Sequence, residues 1–233
     1  NPALLASAES IGLVAAERTI ARLGARQIPS CQATVMYDPQ MAKSLVSHLI
    51  GAVKGGAIYK KASFMLDKVG EDILPSFMTI AENPHKLGAS GSAMHDGEGI
   101  GTPEYRAIVE SGRLASYVLG SYTARKLGLE STANSGGVRN LSVTNTGQNF
   151  DELLAQMGTG LLLTELIGSG INMVTGDYSR GAAGYWVENG ELQYPVEEIT
   201  VAGNLIDMYR NIVAIGNDVD DRGNTECGSI VVE

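Results

Sequence analysis

Residues 182–196 read AAGYWVENGELQYPV, two apolar-alternating arms around an Asn-Gly turn. Asn-Gly supplies the positive φ angles that a tight β-hairpin turn requires, so this stretch predicts antiparallel pairing. A second stretch of the same kind, YRAIVESGRLASYVLG at 105–120, turns at Ser111-Gly112. Strands that arrive as hairpins favour an antiparallel sheet over an alternating βαβ fold. The similar turns, ESGRL and ENGEL, also suggest an internal duplication.

Helical patterns lie before and between these hairpins. Apolar residues spaced three and four apart predict a helix over 3–23. Asp38-Pro39, an N-cap acid followed by Pro at the first helical position, predicts a second helix, which Gly55-Gly56 ends. The sequence thus predicts an α+β fold, a largely antiparallel sheet built from hairpins and packed with a few helices. The other predicted segments are strands at 32–37, 77–81, 141–144, 161–166 and 229–232, and helices at 121–127, 150–157 and 205–212.

Composition excludes several classes of protein. The chain has 233 residues, with 17 Lys+Arg against 26 Asp+Glu, so it lacks the basic surface typical of nucleic-acid-binding proteins. No apolar run approaches the ~18 residues that a membrane-spanning helix needs. The two cysteines, Cys31 and Cys227, are far apart, which favours a reducing compartment over a disulfide-stapled fold. We therefore expect a cytoplasmic location.

The two ends of the sequence suggest a piece of a longer protein. The chain opens on Asn1-Pro2 without an initiator Met and closes on GSIVVE, an apolar alternation typical of a strand. We expect the missing portion to be mostly N-terminal.

His48 lies in SHLIGAVKGG, residues 47–56, on a predicted helix with few ionisable neighbours. A helical zinc site needs imidazoles close enough to share one ion and a carboxylate that activates the bound water. Leu49 stands where such a motif places Glu, and Ala52 and Val53 stand where it places a second His. A lone His on an apolar helical stripe indicates a hydrogen-bonded core residue, with a remnant metal site as the alternative.

Two further histidine- or acid-rich segments are candidates for chemistry. His85 and His95 fall in a glycine-rich loop at 83–103, next to Asp96, where metal binding or acid–base work competes with a flexible, solvated loop. NDVDDRGN at 217–224 has a partial calcium-loop pattern, but Arg222 occupies a ligand position, which indicates a polar turn.

The stretch TGDYSRGAAGYWVENG at 175–190 is less easily explained by structure alone. Small residues around Asp177, Ser179, Arg180 and Gly181 would let another backbone approach closely. A glycine-bordered strand edge that carries Arg and Asp could receive an extended peptide by strand addition. A structural Asp–Arg pair is the equal alternative.

Four blocks of the sequence resemble one protein family. They are RKLGLESTANSGG, LLAQMGTGLLLTELIG, the long VTGDYSRGAAGYWVENGELQYPVEEITVAGNL and IVAIGNDVD. Together they resemble the TldD/PmbA family, specifically its PmbA (TldE) branch, also labelled "modulator of DNA gyrase". The resemblance implies that residues 31–233 form the C-terminal α+β domain, that 1–30 end a middle helical region, and that the family's N-terminal domain is absent.

The resemblance also implies a function. Members are cytoplasmic proteins that pair with a TldD-type subunit as a metalloprotease, degrading unfolded peptides and maturing peptide antibiotics of the microcin type. In the TldD branch an HExxxH helix and a Cys near the C-terminus bind the metal. His48 falls on the first His and Cys227 on the Cys, whereas Leu49 and Val53 replace the Glu and the second His.

This resemblance predicts a subunit without a metal motif of its own. The chain is expected to bind no cofactor, the zinc-type metal lying on the TldD-type partner, and to be inactive alone. His48 and Cys227 are then vestigial ligand positions, and Asp177, Ser179, Arg180 and Gly181 are candidate contacts to unstructured peptide substrates. An isolated chain could form a homodimer. The alternatives are an independent peptidase that uses His85, His95 and Asp96, and a non-enzymatic peptide-binding or regulatory protein.

Overall fold

The computed structural model of the protein describes residues 5–233, so residues 3 and 4 of the first predicted helix lie outside the described part. The helices of the described part are α1 (Ala8–Ala21), α2 (Pro39–Val53), α3 (Gly55–Tyr59), α4 (Ser121–Leu127), α5 (Phe150–Met157) and α6 (Leu205–Arg210). Its strands are β1 (Thr34–Tyr37), β2 (Ile80–Glu82), β3 (Arg106–Glu110), β4 (Arg113–Leu114), β5 (Leu141–Val143), β6 (Gly160–Ile167), β7 (Asp177–Glu188), β8 (Glu191–Asn204), β9 (Ile212–Ile215), β10 (Thr225–Glu226) and β11 (Ile230–Val232).

The strands form two mostly antiparallel sheets, which confirms the predicted fold class. A six-stranded sheet has the order β8-β7-β6-β1-β11-β9, and a five-stranded sheet has the order β10-β5-β2-β3-β4. The β1–β6 and β10–β5 pairs are parallel, and the remaining pairs are antiparallel. Both predicted hairpins exist, β3–β4 and β7–β8, and each contributes the edge strand of a different sheet.

Helix α2 packs on one face of the six-stranded sheet. It begins as predicted, because the Asp38 carboxylate accepts a hydrogen bond from the Met41 N–H at 2.8 Å and Pro39 lacks an N–H that would need a partner. The apolar stripe that the sequence predicts on this helix, Ala42, Val46, Leu49 and Val53, is buried, together with its neighbours Leu45, Ile50 and Ala52. The opposite face of the sheet is covered by α5, which packs Leu153 and Leu154 on a smaller core.

Several predicted boundaries are wrong for identifiable reasons. Residues 75–79 form a turn, with the Met78 N–H donating to the Pro75 carbonyl at 2.9 Å, so the predicted strand at 77–81 starts only at Ile80. The predicted helix at 205–212 ends at Arg210, because Ile212 begins β9 and pairs with β11. Strands β9 and β10 were not predicted.

Gly55 begins the short helix α3, although the sequence predicted that Gly55-Gly56 ends the helical segment. A Cβ atom on Gly55 would lie 2.5 Å from Thr123 Oγ1 of α4. The glycine therefore serves the close packing of two helices, and α2 ends one residue earlier, where the backbone of Lys54 becomes extended.

The loop at 83–103 contains no helix or strand, as predicted, but it is not a freely solvated segment. Asp96 is 7% exposed, and its carboxylate accepts hydrogen bonds from the N–H groups of Glu98, Ile100 and Ser135. These bonds tie the loop to the segment that follows α4.

Helix α1 stands apart from both cores, and none of its residues is buried. Its side-chain contacts with the rest of the chain include Arg18 to Gln40 and an exposed Arg22–Glu165 ion pair. No helix in residues 5–233 combines the length and the apolar character needed to cross a membrane.

Candidate functional site

Four side chains from three elements converge beneath α2. Tyr37 ends β1, His48 lies on α2, and Tyr178 and Arg180 lie near the start of β7. Side chains alternate along a strand, so Tyr178 and Arg180 share the face of the sheet that α2 covers. We refer to Tyr37, His48, Tyr178 and Arg180 as the Tyr–His–Arg cluster.

The contacts within this cluster are close but leave polar atoms without partners. The rings of His48 and Tyr178 meet edge to face, with centroids 6.2 Å apart and an interplanar angle of 64°. Arg180 Nη2 donates to the Leu166 carbonyl at 3.2 Å. The buried side-chain polar atoms of residues 5–233 that have no hydrogen-bond partner are Tyr37 Oη, His48 Nε2, Tyr178 Oη and Arg180 Nε. The prediction that His48 is a hydrogen-bonded core residue is therefore wrong at Nε2.

Burial and the guanidinium together set the protonation of the cluster. Burial lowers the pKa of His48, and the nearby Arg180 lowers it further, so the imidazole is held neutral. Burial raises the pKa of Tyr37 well above its ordinary value, and the adjacent Tyr178 adds to the effect. Burial also raises the pKa of Tyr178, against the opposing influence of Arg180. The cluster thus combines a cation with neutral hydrogen-bonding groups.

The residues around His48 do not fit a metal centre. Leu49 and Val53, at the positions of the family's Glu and second His, are 1% and 0% exposed and belong to the main core. No group of three or more His, Cys, Asp or Glu side chains within positions 5–233 is arranged to hold a metal ion. A cation placed at His48 Nε2 would in addition be repelled by Arg180.

Cys227, the second vestigial ligand position, has different neighbours from His48. Its buried thiol donates to the Gly228 carbonyl at 3.2 Å. Burial raises its pKa to about 12, with smaller effects from Lys43 and Asp218, neither of which belongs to the Tyr–His–Arg cluster. Because metal binding needs the thiolate, this environment opposes it. Both Cys31 and Cys227 are free thiols.

The predicted peptide-contact residues are divided between the two faces of β7. Asp177 and Ser179 are exposed, whereas Arg180 lies on the α2 side with Tyr178. Asp177 accepts hydrogen bonds from Thr175 and Asn204 and does not pair with Arg180, so the alternative of a structural Asp–Arg pair is wrong.

The predicted strand edge at β7 is also wrong. This strand lies between β6 and β8, and a Cβ on Gly181 would meet Ile167 of β6 at 3.4 Å. The first residues of β7, which precede those that pair with β6, are covered on the same edge by the segment at 170–171. There the Ser179 N–H donates to the Gly170 carbonyl at 2.7 Å. The glycines of this stretch thus accommodate neighbouring strands of the same chain.

The residues of the other two candidate segments are either bonded to neighbouring groups of the chain or exposed. His85 Nε2 lies 3.0 Å from Thr102 Oγ1, His95 is exposed, and the carboxylate of Asp96 is taken up by backbone N–H groups. In the polar turn at 217–224, Asp220 pairs with Lys43 at 3.0 Å and with Arg222 at 2.9 Å.

A groove of about 870 Å³ lies on the α2 side of the six-stranded sheet, beneath the segment that links α1 to β1. Its floor includes Leu161 and Trp186, and the edge strand β8 lines it from Glu198 to Ala202. The linker lines the opposite side, from Gln27 to Ala33. The groove combines apolar side chains, hydroxyl and amide groups and a sheet edge, which are the features that hold an extended peptide.

Sequence reasoning missed Tyr37 and Tyr178. The signal that could have found Tyr178 is the two-residue spacing to Arg180, which places both side chains on one face of a strand. No comparable signal marked Tyr37, because its position beside β7 depends on the order of the strands in the sheet.

Comparison with known proteins identifies the family. Residues 30–233 match the model of the PmbA/TldA metallopeptidase C-terminal domain. The chain is 49% identical over 228 residues to metalloprotease PmbA of Escherichia coli O157:H7, covering 98% of this chain and 50% of that protein. It is 44% identical over 224 residues to a PmbA homologue of Haemophilus influenzae, covering 96% of this chain and 49% of the relative. The chain thus spans about half the length of these curated relatives.

Solved structures share the fold. A Bacteroides thetaiotaomicron protein with the provisional designation "modulator of DNA gyrase" superposes with a TM-score of 0.91 at 37% identity, over 95% of this chain and 50% of that one. TldE from Thermococcus kodakarensis superposes with a TM-score of 0.82 at 20% identity, over 97% of this chain and 54% of that one, which shows the fold alone. On this evidence the chain belongs to the PmbA/TldD family of metalloproteases.

Proposed function

We propose that this chain is the metal-free subunit of a heteromeric metallopeptidase, in which a TldD-type partner holds the metal and the catalytic acid. The observation that carries the proposal is the packing of α2, which buries Leu49 and Val53 in the core. Zinc-dependent hydrolysis needs about three protein ligands and a general base, and His48 is accompanied by a cation instead. The relatives named metalloproteases support the reaction class.

The contribution of this chain to such a complex is to hold the substrate. Unstructured peptides are the substrate class, and peptide antibiotics of the microcin type are among those matured, as the family resemblance implies. The groove beside β8 supports this role, because an extended chain can pair with the sheet edge while its side chains contact Trp186 and Leu161. The expected location is the cytoplasm.

The test compares peptide cleavage by this chain, by a TldD-type partner, and by their mixture. We expect cleavage only in the mixture, with loss of activity after a chelator or after substitution of the partner's motif Glu by Gln. Cleavage by this chain alone, insensitive to the chelator, would refute the proposal and direct attention to His85, His95 and Asp96.

The groove also favours a second candidate, a non-enzymatic peptide-binding or regulatory protein. This candidate predicts that peptides bind tightly but are not cleaved, even with the partner present. Ile199→Arg, which would place a large side chain in the groove on the α2 side of β8, should abolish binding, whereas Asp72→Asn in the other sheet region should not. Turnover in the mixture decides against this candidate.

A further inference from the structure

The Tyr–His–Arg cluster presents donors that the protein itself does not use. Tyr37 and Tyr178 are 0% and 2% exposed, and their hydroxyls lie close to each other, with Arg180 near Tyr178, but form no hydrogen bond of normal geometry. His48 Nε2 and Arg180 Nε likewise have no hydrogen-bond partner. Buried polar groups are nearly always paired, so four unpaired atoms in one place indicate a missing ligand.

The charge of the cluster is also uncompensated. The ion pairs within residues 5–233 do not include Arg180. The acid closest to it in sequence, Asp177, lies on the other face of β7 and is hydrogen-bonded to Thr175 and Asn204. A partly buried guanidinium without a counter-ion is costly, because the protein interior solvates it less well than water does.

An anion would satisfy both the unpaired donors and the charge. Water could accept hydrogen bonds from the donors but would leave the charge unpaired, and a metal ion would be repelled by it. His48 and Arg180 are half buried and lie nearest the surface, whereas the four unpaired atoms themselves are shielded from solvent, so a ligand reaches them only when these two side chains move. We propose that the Tyr–His–Arg cluster binds a carboxylate group.

The geometry of the guanidinium suits this ligand. Arg180 Nη2 is fixed by its hydrogen bond to the Leu166 carbonyl, which leaves Nε free on another edge of the planar group. Carboxylates accept charge-assisted hydrogen bonds from guanidinium N–H groups, and the two tyrosine hydroxyls supply neutral donors to the remaining lone pairs. The ligand is either the C-terminal carboxylate of a peptide or a small free carboxylate.

The test follows the side-chain Nε–H signal of Arg180 by NMR in the ¹⁵N-labelled chain. The probes are acetate, N-acetyl-trialanine with a free C-terminus, and the same peptide with a C-terminal amide. We expect the free acid to shift the signal with saturation and to bind at least about tenfold more tightly than the amide, since the amide carries no charge. If the peptide with a free C-terminus binds more tightly than acetate, the carboxylate that the cluster binds belongs to a peptide C-terminus. If the two bind equally, it is a small free carboxylate.

Variants separate binding from folding. Arg180→Gln should weaken binding of the free acid at least about tenfold, and Tyr178→Phe and Tyr37→Phe should weaken it about threefold or more while keeping the shape of the core. Ser47→Ala, on the exposed side of α2 next to His48, is the matched control and should bind as the parent does. Equal binding of acid and amide, unchanged binding by both Phe variants, or no shift with any carboxylate would each overturn the proposal.

This inference does not depend on the proposed function. The binding experiment uses this chain without a partner or a metal. Its failure would leave the subunit assignment in place, and failure of the cleavage test would leave the carboxylate site in place.

Discussion

The side chains of neighbouring residues in β7 lie in different environments, because an extended backbone turns successive side chains to opposite faces of the sheet. Ser179 faces solvent, whereas Tyr178 and Arg180 lie beneath α2. Polar residues that are adjacent in the sequence, such as those of GDYSRG, therefore do not form a cluster of side chains in space. The residues that do meet, Tyr37, His48, Tyr178 and Arg180, come from three elements, and the outermost two are 143 positions apart in the chain.

A buried network in the five-stranded sheet offers a residue-scale prediction. Glu82 is 1% exposed and accepts hydrogen bonds from Arg106, Asn134 and the Arg139 N–H. Glu82→Gln removes the charge that compensates Arg106 and turns an amide N–H₂ toward one of the other donors. We expect the free energy of unfolding to fall by about 3 kcal/mol or more, measured by urea denaturation.

The matched control for this prediction is the exposed ion pair between Asp72 and Arg113. Its side chains are 71% and 62% exposed, so Asp72→Asn should change stability by less than about 0.5 kcal/mol. A Glu82→Gln effect as small as that of the control would show that the buried network adds little.

The polar turn at 217–224 gives a pH-dependent prediction. Burial alone would raise the pKa of Asp220, but hydrogen bonds from Arg222 and Lys43 lower it well below its ordinary value. The folded state therefore favours the carboxylate, and its stabilisation is present above the unfolded pKa of about 3.9 and lost as the pH falls below it. We expect Asp220→Asn to be about 1 kcal/mol less stable than the parent at pH 7, with the difference shrinking steadily as the pH falls from about 4 toward 2. A difference independent of pH would contradict this assignment.

Single elements were predictable where local chemistry determines them. The Asp38-Pro39 start of α2 was predicted because an N-cap carboxylate and an N-terminal Pro act within one turn. Helix α5 begins at a reciprocal capping box between Asn149 and Glu152, and its bounds match the prediction. Strands β9 and β10 were missed, because short strands are stabilised by partners distant in sequence.

Helix α2 itself allows a test of whether the metal motif can be restored. Leu49→Glu with Val53→His would rebuild the family pattern after His48, but both positions are in the core. Burying a carboxylate and an imidazole without partners should lower stability by about 3 kcal/mol or more, and no zinc should be retained. Urea denaturation and zinc content after dialysis measure the two outcomes.

The control for this double variant is Ser47→Glu, on the exposed side of the same helix. It should change stability by less than about 0.5 kcal/mol. A folded double variant with one tightly bound zinc would contradict this prediction. It would show that the side chains at positions 49 and 53 can leave the core and bind a metal ion together with His48.

At the scale of the whole molecule, one hydrophobic core joins the two sheets. It includes Leu49 of α2, Ile108 of the five-stranded sheet and Leu161 of the six-stranded sheet. Backbone hydrogen bonds add to the connection, such as that from the Val118 N–H to the Val53 carbonyl at the end of α2, 3.0 Å long. The order of strands in each sheet depends on such contacts between distant residues, which is why sequence patterns predicted the hairpins but not the topology.

A shared core predicts that both sheets unfold together. Leu49→Ala should lower the free energy of unfolding by about 2–5 kcal/mol, because it leaves a cavity at a site that is 1% exposed. The loss should be the same by two probes, the fluorescence of Trp186 in the six-stranded sheet and hydrogen exchange of the Ile108 amide in the five-stranded sheet. Leu13→Ala on α1, 57% exposed, is the matched control and should leave both probes unchanged. A loss confined to Trp186 would mean that the sheets unfold independently, and α2 would then stabilise only the sheet on which it packs.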